Sequence, residues 1–342
     1  MTLALSERGR LKFELGIFLL IVFGATFLLE FAGIGMYGSK MLSSRIPSVA
    51  MFIPAITAII CLVYFKSTDL TRKAKLFLAS FLVSAGVLIF EMVFYPILGT
   101  YGPYPILSVV TSFGSLVLVV ILNLKDTWRA NLESAKLSFG KNPRQYLILP
   151  VIFSLAFIIA LVVSYSLGLR LPIQEFSLTL FFTTVGFSLL TLVISWPIYF
   201  GEEYGWRFYL QDRMFALFGA YTGLVLVGLV WCLWHAPLML MGMNFPSEPF
   251  VPANIVYLVY TIIMSVIFGY AVLKTGSIWI AVLLHGLTDI IVNTGRVYIS
   301  GTDTIISFLP LLVLLGVFAL ILLRSNVWTN QKTCGENDRI NS

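Results

Sequence analysis

Long apolar runs of helix length, separated by short segments rich in charge, glycine or proline, repeat along the whole chain. A helix crossing about 30 Å of hydrocarbon needs about 20 apolar residues, and only helices or closed barrels satisfy every backbone polar group there. The runs lie near residues 15–38, 46–65, 76–99, 105–123, 146–168, 177–200, 217–241, 253–273, 278–294 and 304–323. They predict an all-α, polytopic transmembrane helix bundle of about ten spans, the ninth short enough to leave a re-entrant alternative. The first run is too long for the apolar region of a signal peptide and has no small-x-small cleavage site, so it reads as an uncleaved anchor. No internal repeat of the kind found in many secondary transporters stands out.

Positive residues stay on the cytoplasmic side, so lysine and arginine test both the count and the orientation. With the N-terminus inside, the inner segments hold 18 of them and the outer loops only four: Lys40, Arg45, Arg170 and Arg296. Moving the count by one span would scatter that split. Both termini are thus expected in the cytoplasm, in a multi-pass protein of the cell membrane. The composition agrees: 342 residues, 59% hydrophobic and 11% charged, too few charges to solvate a soluble globular surface. The net charge of +6 is mostly topology, and nucleic acid is not an expected partner. Cys61, Cys232 and Cys334 have no CxxC or CxxxC spacing, so neither a disulfide framework nor a thiolate zinc site is indicated. Cys334 also lies too far from the end to be a CaaX signal. The segment Lys125 to Gln145 reads as an interfacial amphipathic helix or a solvated connector, and residues 325–342 as a polar, disordered cytoplasmic tail.

Ionisable groups within spans cost at least about 2.5 kcal/mol at the centre, so each is a functional candidate. They are Glu30, Glu91, the cluster Glu202, Glu203 and Arg207, and then His235, His285 and Asp289. Both histidines of the protein fall in late apolar helices. If a helix continues through FGEEYGWRFYLQ, Glu203 and Arg207 stand four apart and pair, while Glu202 turns about 100° away and stays free to take a proton from water. A solvated juxtamembrane charge cluster is the plainer reading of that stretch alone. Trp231 and His235 share a helical face, as do His285 and Asp289, where a carboxylate can orient the imidazole. Each pair also fits ordinary interior packing. Glu30 and Glu91 are read as contacts between helices or further cavity residues.

Depth decides how these stretches can meet. A sixth span ending at Phe200 leaves Glu202 at the rim while His235 lies near the far side. A helix running on to about Met214 instead brings Glu202, His235 and His285 toward mid-membrane. Residues 201–214 are therefore predicted to be a helical continuation, shielded by protein and lining a cavity open to the cytoplasm.

The ordered set EEYGWR (Glu202, Glu203, Arg207), WCLWH (Trp231, His235) and HGLTD (His285, Asp289) resembles the CPBP family of intramembrane proteases. Its best-known members are the type II CAAX prenyl endopeptidases, with EExxxR, FxxxH and HxxxN or HxxxD on membrane helices. The resemblance covers about residues 180–295 and implies that Glu202 and His235 activate the attacking water. It implies that Glu203 and Arg207 support them, and that His285 and Asp289 hold the oxyanion or complete the site. Trp231 replaces the phenylalanine, which changes pocket shape. Asp289 replaces the amide of better-studied members and cannot donate a hydrogen bond unless protonated.

The resemblance divides the chain into N-terminal helices without a motif (1–175), a catalytic helical core (176–295), a last transmembrane helix (296–324) and the tail (325–342). It implies an endopeptidase whose partners are the lipid bilayer and a peptide or lipidated-protein substrate, prenylated or not. A metal-free, glutamate-type enzyme is the preferred reading. A zinc ion on Glu202, His235 and His285 is the alternative, since two histidines and a carboxylate leave one position open. The rival outside enzymology is a non-catalytic receptor, immunity protein or proton-coupled transporter using the same buried charges. Convergence of Glu202, His235 and His285 within about 3–6 Å is the structural expectation.

Overall fold

Apolar runs become helices wherever the sequence places them, because a chain in hydrocarbon must close its hydrogen bonds within each segment. In the computed structural model, residues 5–37, 40–97, 106–173, 175–242, 244–245, 247–300 and 304–329 are described. In chain order the helices are α1 (Leu5–Tyr37), α2 (Lys40–Ala50), α3 (Ile53–Phe65), α4 (Arg72–Ile97), α5 (Ile106–Leu124), α6 (Asp126–Arg129) and α7 (Gln145–Ser166). They continue as α8 (Leu178–Glu203), α9 (Gln211–Phe218), α10 (Ala220–Leu240), α11 (Phe250–Thr275), α12 (Trp279–Tyr298) and α13 (Ile305–Leu323). Ten segments of the described residues are long and apolar enough to cross a membrane, with α2 and α3 sharing one and α8 and α9 another. Their order matches the ten predicted runs, and the fold is that of a multi-pass membrane protein.

Hydrogen bonds tie the loops into two separate groups. At one end, the basic end, Arg213 pairs with Glu14 at 3.0 Å, Lys136 with Asp212 at 2.5 Å, and Arg8 donates to the Leu217 carbonyl at 3.0 Å. Thr71 donates to the Asn131 carbonyl, and the Ile278 N–H to that of Lys136. At the other end the strands β1 (Leu171–Pro172) and β2 (Ile299–Ser300) pair antiparallel, Tyr298 donates to the Ser177 carbonyl, and the Ile305 N–H to Glu248. These are the groups that the lysine and arginine count had separated.

Residues 125–145 form neither a plain connector nor an amphipathic helix lying on the membrane. After α6 comes a six-residue 3-10 turn whose Leu132 and Ala135 are buried. Leu137 follows them into the core, and its carbonyl accepts from the Trp279 indole at 2.9 Å. The segment is a plug over the basic end. In the expected tail, Asn326–Trp328 make a 3-10 turn with Trp328 buried, while residues 330–342 lie outside the described residues.

The sixth span is 41 residues long, Leu178–Phe218, which at 1.5 Å per residue is about 60 Å, twice the hydrocarbon thickness. Its first half faces outward, with Phe182 and Phe187 exposed, whereas residues 200–211 are buried without interruption. A helix buried all round is a core helix. Residues 204–210 adopt π geometry between α8 and α9. The continuation past Phe200 was predicted from depth and is present, and it runs four residues beyond Met214. Gly201 and Gly205 let this segment touch the α2–α3 junction. A Cβ at Gly205 would fall 2.3 Å from Pro54 Cβ, and one at Gly201 2.7 Å from the Met51 carbonyl oxygen.

Candidate active site

Three elements bring the candidate residues together: the end of α8 with its π segment, α10, and α12. Gly286 brings α12 against α8, since a Cβ there would lie 2.2 Å from the Leu192 side chain. Glu203 and Arg207, both fully buried, pair through Oε2 and Nε at 3.0 Å, as their spacing predicted. Arg207 also donates from Nη1 to Ser265 Oγ of α11 at 3.0 Å and stacks over Trp231, 4.7 Å from the ring centroid. The other Glu203 oxygen accepts from His285 Nδ1 at 2.8 Å. Glu203 is thus held on both oxygens, by its own helix and by α12.

Glu202 is 2% exposed and accepts one hydrogen bond among the described residues, from the Trp231 indole N–H to Oε1. Its second oxygen makes none there. Trp231 serves His235 as well: its carbonyl accepts from His235 Nδ1 at 3.0 Å. A carbonyl only accepts, so Nδ1 carries the proton and Nε2 of a neutral His235 is an acceptor. The ring is boxed by Trp234 and Tyr257, with centroids at 4.7 and 5.2 Å.

Ligating atoms of Glu202, Glu203 and His285 lie within 4.8 Å of one another. His235 is not in that group and joins it through Trp231. The convergence expected of Glu202 and His285 is present, with Glu203 in the third place. Asp289 differs more. The orienting partner of His285 is Glu203, and Asp289 hydrogen-bonds the Tyr199 side chain instead. One Nδ1–H can serve one carboxylate well, and Glu203 of the neighbouring helix takes it.

Two cavities approach the site. One of about 700 Å³ opens at the basic end, with Lys141 and Tyr146 in its wall, and stops at Trp279. Trp196, Phe200 and Trp279 pack edge-to-face or tilted with centroids 5.4–5.7 Å apart, and Phe77 packs on Trp279 at 5.6 Å. The other, about 360 Å³, is lined by Tyr257, Thr288 and Asp289 on the site side and by Asn244, Arg296 and Ile299 toward the opposite loops. The cavity at the basic end has Trp279 in its wall, and the other has Asp289 and Tyr257 in its wall.

Sequence reasoning missed the Glu203–His285 bond, Ser265, Tyr199 and Tyr257. Ser265 carried a signal, a hydroxyl inside an apolar span. The tyrosines carried none, being ordinary aromatic residues of their helices. Glu30 is fully buried on α1, and neither carboxylate oxygen has a hydrogen-bond partner among the described residues. Thr26, one turn earlier, accepts from the Trp234 indole at 2.9 Å. Glu91 is buried on α4 and hydrogen-bonds Ser108 of α5.

Residues 182–291 match the family described as type II CAAX prenyl endopeptidase Rce1-like. The chain is also similar to the CAAX prenyl protease 2 of Methanococcus maripaludis, 25% identical over 229 residues, which are 63% of this chain and 82% of that protein. No solved structure matches it.

Proposed function

Residues 182–291 match the type II CAAX prenyl endopeptidase Rce1-like family and the chain is similar to a CAAX prenyl protease, and from that premise we propose that it belongs to the CPBP/CAAX protease family and is an endopeptidase using a water activated by Glu202 and His235. One observation carries the reading: of two adjacent buried carboxylates, Glu203 is bonded on both oxygens while Glu202 keeps one free beside His285. A water bound to that oxygen loses its proton to Glu202 as it attacks the peptide carbonyl, and the proton passes to the leaving amine. His235 accepts a hydrogen bond from the same water at Nε2. His285, in its imidazolium form, donates from Nε2 to the oxyanion, held in line by Glu203. Asp289 contributes to the cavity wall rather than to the orientation of His285.

The enzyme works without a metal. Arg207 puts a full positive charge into the carboxylate cluster, and both Glu203 oxygens are already used, which leaves Glu202 and His285 as a poor zinc set. His235 would have to leave Trp231 to complete the alternative set of Glu202, His235 and His285. The substrate is a membrane-associated peptide, prenylated or not.

A cleavage assay in detergent on a peptide panel, comparing the parent with Glu202→Ala and His235→Ala, tests the reading. The parent cleaves and both variants lose at least about a hundredfold in kcat. A parent that cleaves nothing, or variants that match it, would favour a receptor or transporter. Metal analysis and chelation test the subtype: full activity after removal of divalent ions is expected.

A further inference from the structure

Trp231 stands at the centre of the charged cluster. It is buried on α10, and its ring meets both histidines, with centroids 5.8 Å from His235 and 6.5 Å from His285. The Arg207 guanidinium lies over the ring, 4.7 Å from its centroid, and is itself held by Glu203 and Ser265. A cation over a buried indole attracts it and favours one orientation of the ring. In that orientation the single indole N–H points at Glu202 Oε1. An indole donates and never accepts, so this bond occupies one oxygen of Glu202 and leaves the other for water. Phenylalanine, the residue of the FxxxH pattern, fills similar space with a ring that has no donor. The Glu203–Arg207 pair thereby reaches Glu202 through the ring: the guanidinium seats the indole, and the indole seats the carboxylate.

We propose that Trp231 is a positioning residue for the general base: its indole N–H fixes the Glu202 carboxylate in the orientation that binds the attacking water, and Arg207 serves the reaction by holding that indole. The last torsion of a glutamate side chain is broad, so an unheld carboxylate is correctly aimed only part of the time. Fixing it acts on the chemical step and not on substrate binding. His235 is bonded to the Trp231 backbone carbonyl, which a change of ring leaves in place. The inference rests on the endopeptidase reading and adds to it the group that places the base.

The test uses the full chain in detergent with a fluorogenic peptide that the parent cleaves. Trp231→Phe should lower kcat about 10–100-fold and leave KM within about twofold. In a Glu202→Gln background the same change should leave kcat within about twofold, because the indole acts through the carboxylate. Replacing Trp231 by 3-benzothienylalanine keeps the shape of the ring and removes only the N–H, so it should lose kcat as Trp231→Phe does, whether or not the smaller phenylalanine disturbs folding. Trp328→Phe removes another buried indole–carbonyl bond, in the 3-10 turn after α13, and should leave kcat unchanged. An isostere with parental kcat, an effect confined to KM, an equal kcat loss in the Glu202→Gln background or an equal loss in Trp328→Phe overturns the proposal and leaves the protease reading intact. A parent that cleaves nothing overturns both.

Discussion

Glu202 and Glu203 are chemically identical neighbours whose roles are divided by what surrounds them. Glu203 is bonded to Arg207 and His285, so its replacement removes structure along with any chemistry. Glu203→Gln should lower both kcat and Tm, because Arg207 then sits as a buried charge without its counter-ion, a change that costs about 3–5 kcal/mol. Glu202→Gln should lower kcat about 10²–10⁴-fold with Tm preserved, since Trp231 can still donate to the amide oxygen. Thermal unfolding alongside turnover separates the two, and equal Tm losses would contradict the division. Asp289→Asn should keep kcat/KM within about tenfold, or about 1.4 kcal/mol, because His285 is held by Glu203. Legibility at this scale followed chain distance. The Glu203–Arg207 pair could be read because four residues on one helix fix the geometry. The Glu203–His285 bond spans 82 positions, and no periodicity reports which of several polar residues meet across helices.

Among the elements, the continuous α8–α9 segment positions the site. Its helicity was legible because a break at Phe200 left the charged groups at incompatible depths. Its π geometry was not, since that depends on how the helix seats on the α2–α3 junction. Gly205 is where the seating is tightest: an added Cβ would fall 2.6 Å from the Pro54 carbonyl carbon, part of a backbone that cannot swing aside. Gly205→Ala should destabilise by about 1–3 kcal/mol and depress activity, because moving the π segment moves Glu202 and Glu203. Gly186, in the exposed half of α8, has nothing among the described residues within 4 Å of its added Cβ. Gly186→Ala should be neutral or stabilising by up to about 1 kcal/mol. Thermal melts of both variants in one detergent check the contrast, and a matching loss at Gly186 would argue against close packing as the cause.

For the whole molecule, the separation of charges between the two ends was visible in a count, and what those charges do was not. Lys136–Asp212 is partly exposed, 17% and 34%, whereas Arg213–Glu14 is 7% and 0% exposed. Lys136→Ala should cost under about 1 kcal/mol and lose importance in high salt. Arg213→Ala should cost about 3–5 kcal/mol, since a fully buried Glu14 then keeps, among the described residues, Arg10 alone. Salt titration of Tm measures the difference. The sequence alone settled the solvent, the ten spans, the two groups of loops and the residues able to do chemistry. Each of these follows from local composition and period, because lipid penalises every unpaired polar group wherever it falls. The structure alone decided which carboxylate is bonded on both oxygens and which is not, and that Glu203 holds His285. These depend on contacts between helices far apart in the chain, and a one-dimensional pattern carries no record of which faces meet.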